Sequence, residues 1–284
     1  MKLSGIKRIF MIFMAAFLFC GTIQAADWLT SFEDAKKMAL ATDKLMLVDF
    51  WATWCGPCKR MDSETWSQEE VKLLMDNFIP VKIDIDSYRN LSQTYGVSGI
   101  PYIFIMDANG KVLYQQMSYK SKNEVIRLLN QYMLNTQFLK QDLINYYKKE
   151  DFINSFRLAS KYQDYGLLIA DVEVKNRIMA ISENYFDTAK KFLKDSDLKN
   201  KVGFEQKIEL FEIQEYLIVS KPDKALKRLD KLKSQEIDQL NQNFYNFLYY
   251  VAYSQLKDHA NSDIWKQKVK ESDLKKSELF LKNI

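Results

Sequence analysis

Histidine, cysteine, proline and glycine are all scarce in this chain of 284 residues, which holds one, three, four and eight of them respectively. So little proline and glycine leaves few breaks for long loops and points to a helix-rich structure. A zinc centre needs four ligands, mostly sulfur or nitrogen. Cys20 lies in an apolar N-terminal run, and the single histidine, His259, is far down the chain from Cys55 and Cys58. Ligand count therefore excludes zinc. No metal and no cofactor is expected, and His259, alone on a polar stretch, reads as a surface residue. A strong charge of either sign is lacking too: 41 Lys and Arg stand against 37 Asp and Glu, for a formal charge of +4. With the two signs interspersed there is no electrostatic footprint for nucleic acid. The N-terminal apolar run, Ile9 to Phe19, falls short of the roughly 20 residues that span a bilayer.

What is present is core material. Hydrophobic residues make up 47% of the chain and aromatics 14%, enough to build packed cores and too much for a disordered chain. The length suits about two domains. Residues 1–26 read as a secretory signal. Lys2, Lys7 and Arg8 supply the positive end, and Thr22-Ile23-Gln24-Ala25-Ala26 offers small residues for cleavage after the apolar run. An uncleaved N-terminal anchor is the alternative. The Leu18-Phe19 pair is too bulky for lipid attachment at Cys20. Cleavage would lower the formal charge from +4 to +1, because three bases and no acid leave with the signal. It would also remove Cys20, so the exported chain, periplasmic in this reading, keeps Cys55 and Cys58 alone. Export carries that pair into an oxidising compartment.

The chain is organised around Trp51-Ala52-Thr53-Trp54-Cys55-Gly56-Pro57-Cys58-Lys59. Two cysteines separated by two residues can close a redox disulfide, form half of a zinc site or pack as small hydrophobes. Zinc fails on ligands, and the flanks favour redox chemistry. Lys44 to Trp51 is near-continuously apolar, as a strand covered on both faces is, and a helix is expected after Cys55. A thiol at a helix N-terminus meets unpaired N–H groups and the positive end of the dipole, which favour the thiolate. Pro57 suits the first helical turn, where its missing N–H costs nothing. Only Asp49 interrupts the apolar strand. Desolvation should raise its pKa, so that it can accept a proton near neutral pH.

Along the rest of the chain, Thr30 with Glu33 has the form of a capping box opening a helix to about Ala41. The helix after the cysteines is expected to run to about Trp66, and a second one from Ser67 to about Phe78. Val81 to Asp86 alternates as a strand, and Arg89 to Tyr95 can form a short helix. Tyr102 to Met106 and Lys111 to Met117 make a hairpin around Asn109-Gly110. Lys122 to about Leu134 is a closing helix. From about Thr136 onward apolar residues recur at helical spacing, as in Phe152-Phe156-Ala159 and Phe244-Phe247-Val251, which predicts six or seven helices in antiparallel pairs. Both a degenerate tetratricopeptide-like array and a plain bundle remain open. The tyrosines and phenylalanines of this half read as core.

Val48 to Lys59 resembles the active-site segment of thioredoxin, and Gly99-Ile100-Pro101 resembles the thioredoxin loop whose proline follows a cis bond. The resemblance implies an α/β thioredoxin-like fold, a central mixed sheet flanked by helices, over residues 27–135. An all-α helical domain would follow over residues 136–284. It further implies a Cys55–Cys58 redox disulfide, with Cys55 at an exposed helix end as the attacking thiolate and Cys58 resolving the intermediate from one turn deeper. Asp49 matches the aspartate that helps deprotonate the buried cysteine, and Lys82 matches the lysine near it. Ile100 and Pro101 would offer backbone to an extended substrate segment. Trp54 would form an apolar rim beside Gly56 and Pro57, and Trp51 would pack beneath the site. Thioredoxins usually carry a kinking proline in the active-site helix, and this chain has none. Glu64-Thr65-Trp66-Ser67 and the helix after it are instead similar to exported thioredoxin-like domains, including the terminal domain of the membrane electron transporter DsbD. The Gly-Pro pair between the cysteines is that of thioredoxin, whereas strong oxidants carry histidine there, so a reductase is expected. Its partners would be proteins with disulfides and a membrane donor of thiol electrons. A disulfide isomerase dimerised by the helical half is one alternative. A helical binding scaffold on a thioredoxin-fold carrier is another.

Overall fold

The computed structural model describes residues 28–233 and 236–282. The expected secretory segment and cleavage site, together with Cys20, lie outside the described residues. Strand β1 (Leu45–Trp51) is apolar except for Asp49 because both of its faces are covered: Leu45 to Phe50 are all buried. It is an inner strand of a four-stranded mixed sheet in the order β2-β1-β3-β4. β2 (Phe78–Asp84) lies parallel to it, with Asp49 opposite Lys82. β3 (Tyr102–Met106) lies antiparallel, with Asp49 opposite Ile103, and β4 (Val112–Met117) completes the hairpin.

Helix α1 (Phe32–Thr42) precedes β1. Its N-cap is Ser31, whose Oγ accepts from Asp34 N at 3.2 Å, so the cap sits one residue later than the Thr30 expected from the sequence. After the cysteines comes α2 (Gly56–Met61), and its continuation is not the regular helix expected to Trp66. Residues Asp62–Trp66 form a single π turn. The wider turn brings Thr65 and Trp66 inward. Thr65 Oγ1 donates to Lys120 O at 2.8 Å, and the Trp66 ring meets Trp28 edge-on at 5.1 Å. The chain thus has an irregular active-site helix without a proline, by the other route available to helices.

Helix α3 is shorter than expected, Glu69–Met75, and β2 begins at Phe78 rather than Val81. Pro80 lies inside this strand. Yet Pro80 O and Lys82 N both face Leu29, outside the sheet proper, and accept from or donate to it at 3.0 and 2.8 Å. A residue's N and O point to the same side of a strand, so the missing N–H of Pro80 costs no ladder bond with β1. Then follow α4 (Arg89–Thr94) and, after β4, α5 (Lys122–Tyr132).

The remaining chain is helical: a 3₁₀ turn (Gln137–Leu139), then α6 (Lys140–Lys148), α7 (Phe152–Gly166), α8 (Val172–Lys194), α9 (Lys201–Ile218), α10 (Pro222–Leu232), α11 (Gln242–Gln255), α12 (His259–Lys266) and α13 (Glu271–Leu281). Among the described residues that makes eight α-helices after residue 136, more than the six or seven expected, because the short α12 and α13 carry few fully buried residues to reveal their period. Asp151, Asp171, Asn200 and Asp258 each cap the helix that follows with a side-chain oxygen. Buried amides cross-link the array. Gln163 donates to Phe211 O and accepts from Gln214, and Gln255 donates to Leu217 O and Phe280 O.

The two halves share one continuous apolar core, and α8 packs against β4. One polar link between them is Asp107, fully buried in the β3–β4 turn. Its Oδ1 accepts from the turn's own backbone, Asn109 N at 2.9 Å and Lys111 N at 2.8 Å. Its Oδ2 accepts from the hydroxyls of Tyr162 on α7, at 2.8 Å, and Tyr185 on α8, at 2.7 Å. Gly110 closes the turn at φ +84°, and a Cβ there would collide with the Tyr95 hydroxyl, which donates to Gly110 O. Removing the carboxylate strands four donors in a dry site. We expect Asp107→Ala to cost about 3 kcal/mol or more and Tyr185→Phe about 1–2 kcal/mol, both read from urea unfolding; an unchanged midpoint for Asp107→Ala would refute this role.

Candidate active site

Cys55 and Cys58 are joined in a disulfide, with their Cα atoms 5.3 Å apart. Cys55 is the N-cap of α2, and its Sγ accepts from Cys58 N at 3.1 Å. The sulfur thus occupies the place where a capping oxygen would sit, facing N–H groups that have no partner in the helix. Pro57 lies in the first turn, as expected. One expectation fails. Cys55 is not the exposed member of the pair: it is 3% exposed and Cys58 2%. Ala52 is buried with the two cysteines, and Trp51, Ile85 and Ile100 pack against that cluster, while the neighbouring Trp54, Gly56 and Pro57 are exposed.

Trp54, 65% exposed, stands beside the pair and is held in place by its Nε1, which donates to Asp86 Oδ2 at 2.8 Å. Trp51 is half-buried at the end of β1. The Ile100–Pro101 bond is cis, and Pro101 is buried with Ile100 packed against the cysteines. Neither backbone group of Ile100 is hydrogen-bonded among the described residues.

Asp49 is 2% exposed. Burial pushes its carboxyl up to about 7, against the pull of Lys82, whose Nζ lies 3.8 Å away, while Asp62 pushes in the same direction as burial. The indole N–H of Trp66 exerts a weak downward pull without completing a hydrogen bond. The structure thus brings Lys82 beside Asp49, and it adds residues that the sequence reading missed. Lys82 Nζ donates to Asp62 Oδ1, and it lies over the rings of Trp28 and Trp51 at 5.3 and 5.2 Å. Asp62 follows Cys58 by four residues, which puts both on one helical face. That spacing was the available signal. Trp28 and Trp66 had none, since each reaches the site only through the π turn or the edge of β2. His259 is exposed at the start of α12. Among the described residues no three His, Cys, Asp or Glu side chains gather as metal ligands would, and no helix is long and apolar enough to cross a membrane.

A family model for the thioredoxin-like domain matches residues 32–133. The thioredoxin of Bacillus subtilis is 32% identical over 102 residues, covering 35% of this chain and 93% of that protein. The chain belongs to the thioredoxin-like family. Thioredoxin-1 of Drosophila melanogaster is 35% identical over 77 residues, 27% of this chain and 70% of the relative. Among solved structures, the C-terminal domain of DsbD from Neisseria meningitidis, in the reduced form, is 27% identical, covering 35% of this chain and 92% of that one with a TM-score of 0.32. This thioredoxin-like protein is accordingly a protein-disulfide oxidoreductase with a CXXC disulfide, and its helices beyond residue 133 lie outside the matched family region.

The buried carboxyl has a measurable consequence. In the unfolded chain Asp49 ionises near its ordinary 3.8, but in the folded protein only near 7. Below pH 4 both states hold the proton, and this contribution to stability is complete. Between pH 4 and 7 only the folded state holds it, so stability falls as pH rises, by up to about 1.4 kcal/mol per pH unit. In the oxidised protein, Asp49→Asn should flatten this slope and be more stable than the wild type at pH 8; parallel pH profiles of the urea midpoint would disprove the assignment.

Proposed function

We propose that this protein is an exported thiol–disulfide reductase that delivers two electrons from its cysteine pair to disulfides in other proteins. The observation that carries the proposal is the capping position of Cys55, whose sulfur already accepts a main-chain N–H. That arrangement stabilises a thiolate at the point of attack.

In the reduced enzyme the Cys55 thiolate attacks one sulfur of a substrate disulfide. The substrate S–S bond breaks, a mixed disulfide forms, and the first substrate sulfur leaves as a thiolate that takes up a proton. Cys58 then loses its proton, with Asp49 as the base that the thioredoxin resemblance assigns, and attacks the Cys55 sulfur. The mixed disulfide breaks, the second substrate thiol departs, and the enzyme is left with the Cys55–Cys58 bond seen here. An Asp carboxyl that titrates near 7 suits this transfer, since it can both take and return a proton at neutral pH. Lys82, shared between Asp49 and Asp62, holds the carboxylate form in place once the proton has left. The free backbone of Ile100 supports pairing with an extended substrate segment, and Trp54 supplies an apolar wall beside it.

Two inferences rest on the sequence. The Gly-Pro pair between the cysteines favours reduction over oxidation. The N-terminal secretory pattern favours work outside the cytoplasm, periplasmic in a two-membrane cell. A reductant there needs two electrons and two protons after each turnover, and a membrane thiol carrier is the matching donor. Residues 136–284 form, in this proposal, a separate functional region that selects substrates.

Cys58→Ala should accumulate mixed disulfides with cellular proteins through Cys55, whereas Cys55→Ser should accumulate none. The reduction potential of the pair decides direction: a value at the oxidising end of the family range, or an empty Cys58→Ala trap, would overturn the reductase reading.

A further inference from the structure

Far along the sequence from the cysteines, α9, α11 and α13 enclose a cleft of about 400 Å³. That volume is within the range of built ligand sites. Its apolar floor is Phe211, Phe244 and Phe247, and its rim carries Lys207, Lys270 and Lys276. The floor is rigid: Phe211 and Phe244 pack with centroids 4.8 Å apart, and Phe211 meets Phe156 edge-on at 5.6 Å. A second, smaller hollow of about 120 Å³, between Phe156 and Phe204, shares Lys207 and Leu240 with the first, so the two form one groove with Lys207 at the junction.

Lys207 is the anomaly. It is half-buried, lies over the Phe244 ring at 4.8 Å, and makes no ion pair or hydrogen bond among the described residues. The other cations differ. Lys276 is paired with Asp164 on α7 at 2.7 Å, and Lys270 is exposed. The one acid on the rim, Asp273, is near enough to act on Lys207 electrostatically but makes no ion pair with it. Burial and the charge of Lys276 push the Lys207 ammonium down, and Asp273 offsets this only in part. A partly desolvated ammonium with no paired counter-ion carries a cost that the Phe244 ring and the charge of Asp273 offset only in part. Such a group is complementary to an anion supplied from outside.

We propose that this groove binds an acidic peptide segment of a partner protein, one carboxylate on Lys207 and Lys270 and a flanking apolar side chain on the phenylalanine floor. Two features select this occupant. Charge excludes the chain's own N-terminal segment, whose Lys2, Lys7 and Arg8 would meet lysines. The aromatic floor excludes a bare small anion as the best fit, because it would leave the phenylalanines facing water. Neither cysteine takes part, so the site goes beyond the redox reading and would survive its failure.

Fluorescence anisotropy on the full chain with the disulfide intact provides the test. The probes are a fluorescein-labelled peptide of sequence DFEDLE, its neutral counterpart NFQNLQ, and inorganic phosphate as competitor. The acidic peptide should bind in low salt and weaken as salt rises, and the neutral one should bind at least tenfold less well. Lys207→Gln should lose at least tenfold and Lys207→Arg should keep most of the affinity, while Lys148→Gln, on α6, changes nothing. Circular dichroism checks that the variants fold, and insulin reduction is measured separately, so a failure of the cysteine chemistry is not mistaken for a failure here. Equal binding by wild type and a folded Lys207→Gln, or no preference for the acidic peptide, overturns the proposal. So does displacement by millimolar phosphate, which would make the site one for small anions. Self-association without peptide binding overturns it in favour of a second copy of the chain.

Discussion

A carboxylate removed from water needs donors, and Asp107 has four. The β3–β4 turn supplies two through its own backbone, which any aspartate opening such a turn can arrange. The other two come from Tyr162 and Tyr185, 55 and 78 residues further along. Burial raises the acid's pKa and the four donors resist that rise. The balance works only when the turn and both helices are in place together. This bond set positions α7 and α8 on the hairpin, and the buried amides from Gln163 to Gln255 carry the order outward to α13.

The redox end obeys the same rule with the opposite result. Asp49 is equally dry, yet its one ion-pair partner among the described residues is a lysine divided between two acids, and one of its oxygens has no hydrogen-bond partner. Where Asp107 is satisfied and structural, Asp49 is left underserved and able to change protonation. The contrast is a general marker of chemistry: buried carboxyls with full complements of donors hold folds together, and those without them are poised to react.

The cysteine pair, the strand leading into it and the hairpin were legible because each is a local pattern, whereas the cis-proline loop was legible only through the thioredoxin resemblance. A continuous apolar run, an Asn-Gly turn or two cysteines at helical spacing announce themselves within a dozen residues. What stayed hidden depended on distant partners. Asp107 looked like an ordinary turn residue, since its tyrosines belong to another region. The sequence reading ends a helix near Phe78 and starts the strand at Val81, because only pairing with β1 and Leu29 makes Phe78 to Pro80 a strand. Asp62 needed Lys82 before its link to Asp49 could be seen. The near-complete burial of Cys55 likewise involves Ile85 and Ile100, which pack against its cluster from other elements.

The matched family region ends at residue 133, but the physics does not stop there. Cutting the chain at that point would uncover Asp107, leave β4 without α8 against it, and expose core side chains shared with the helices. In this protein the edge of the family match and the edge of the packed core fall in different places.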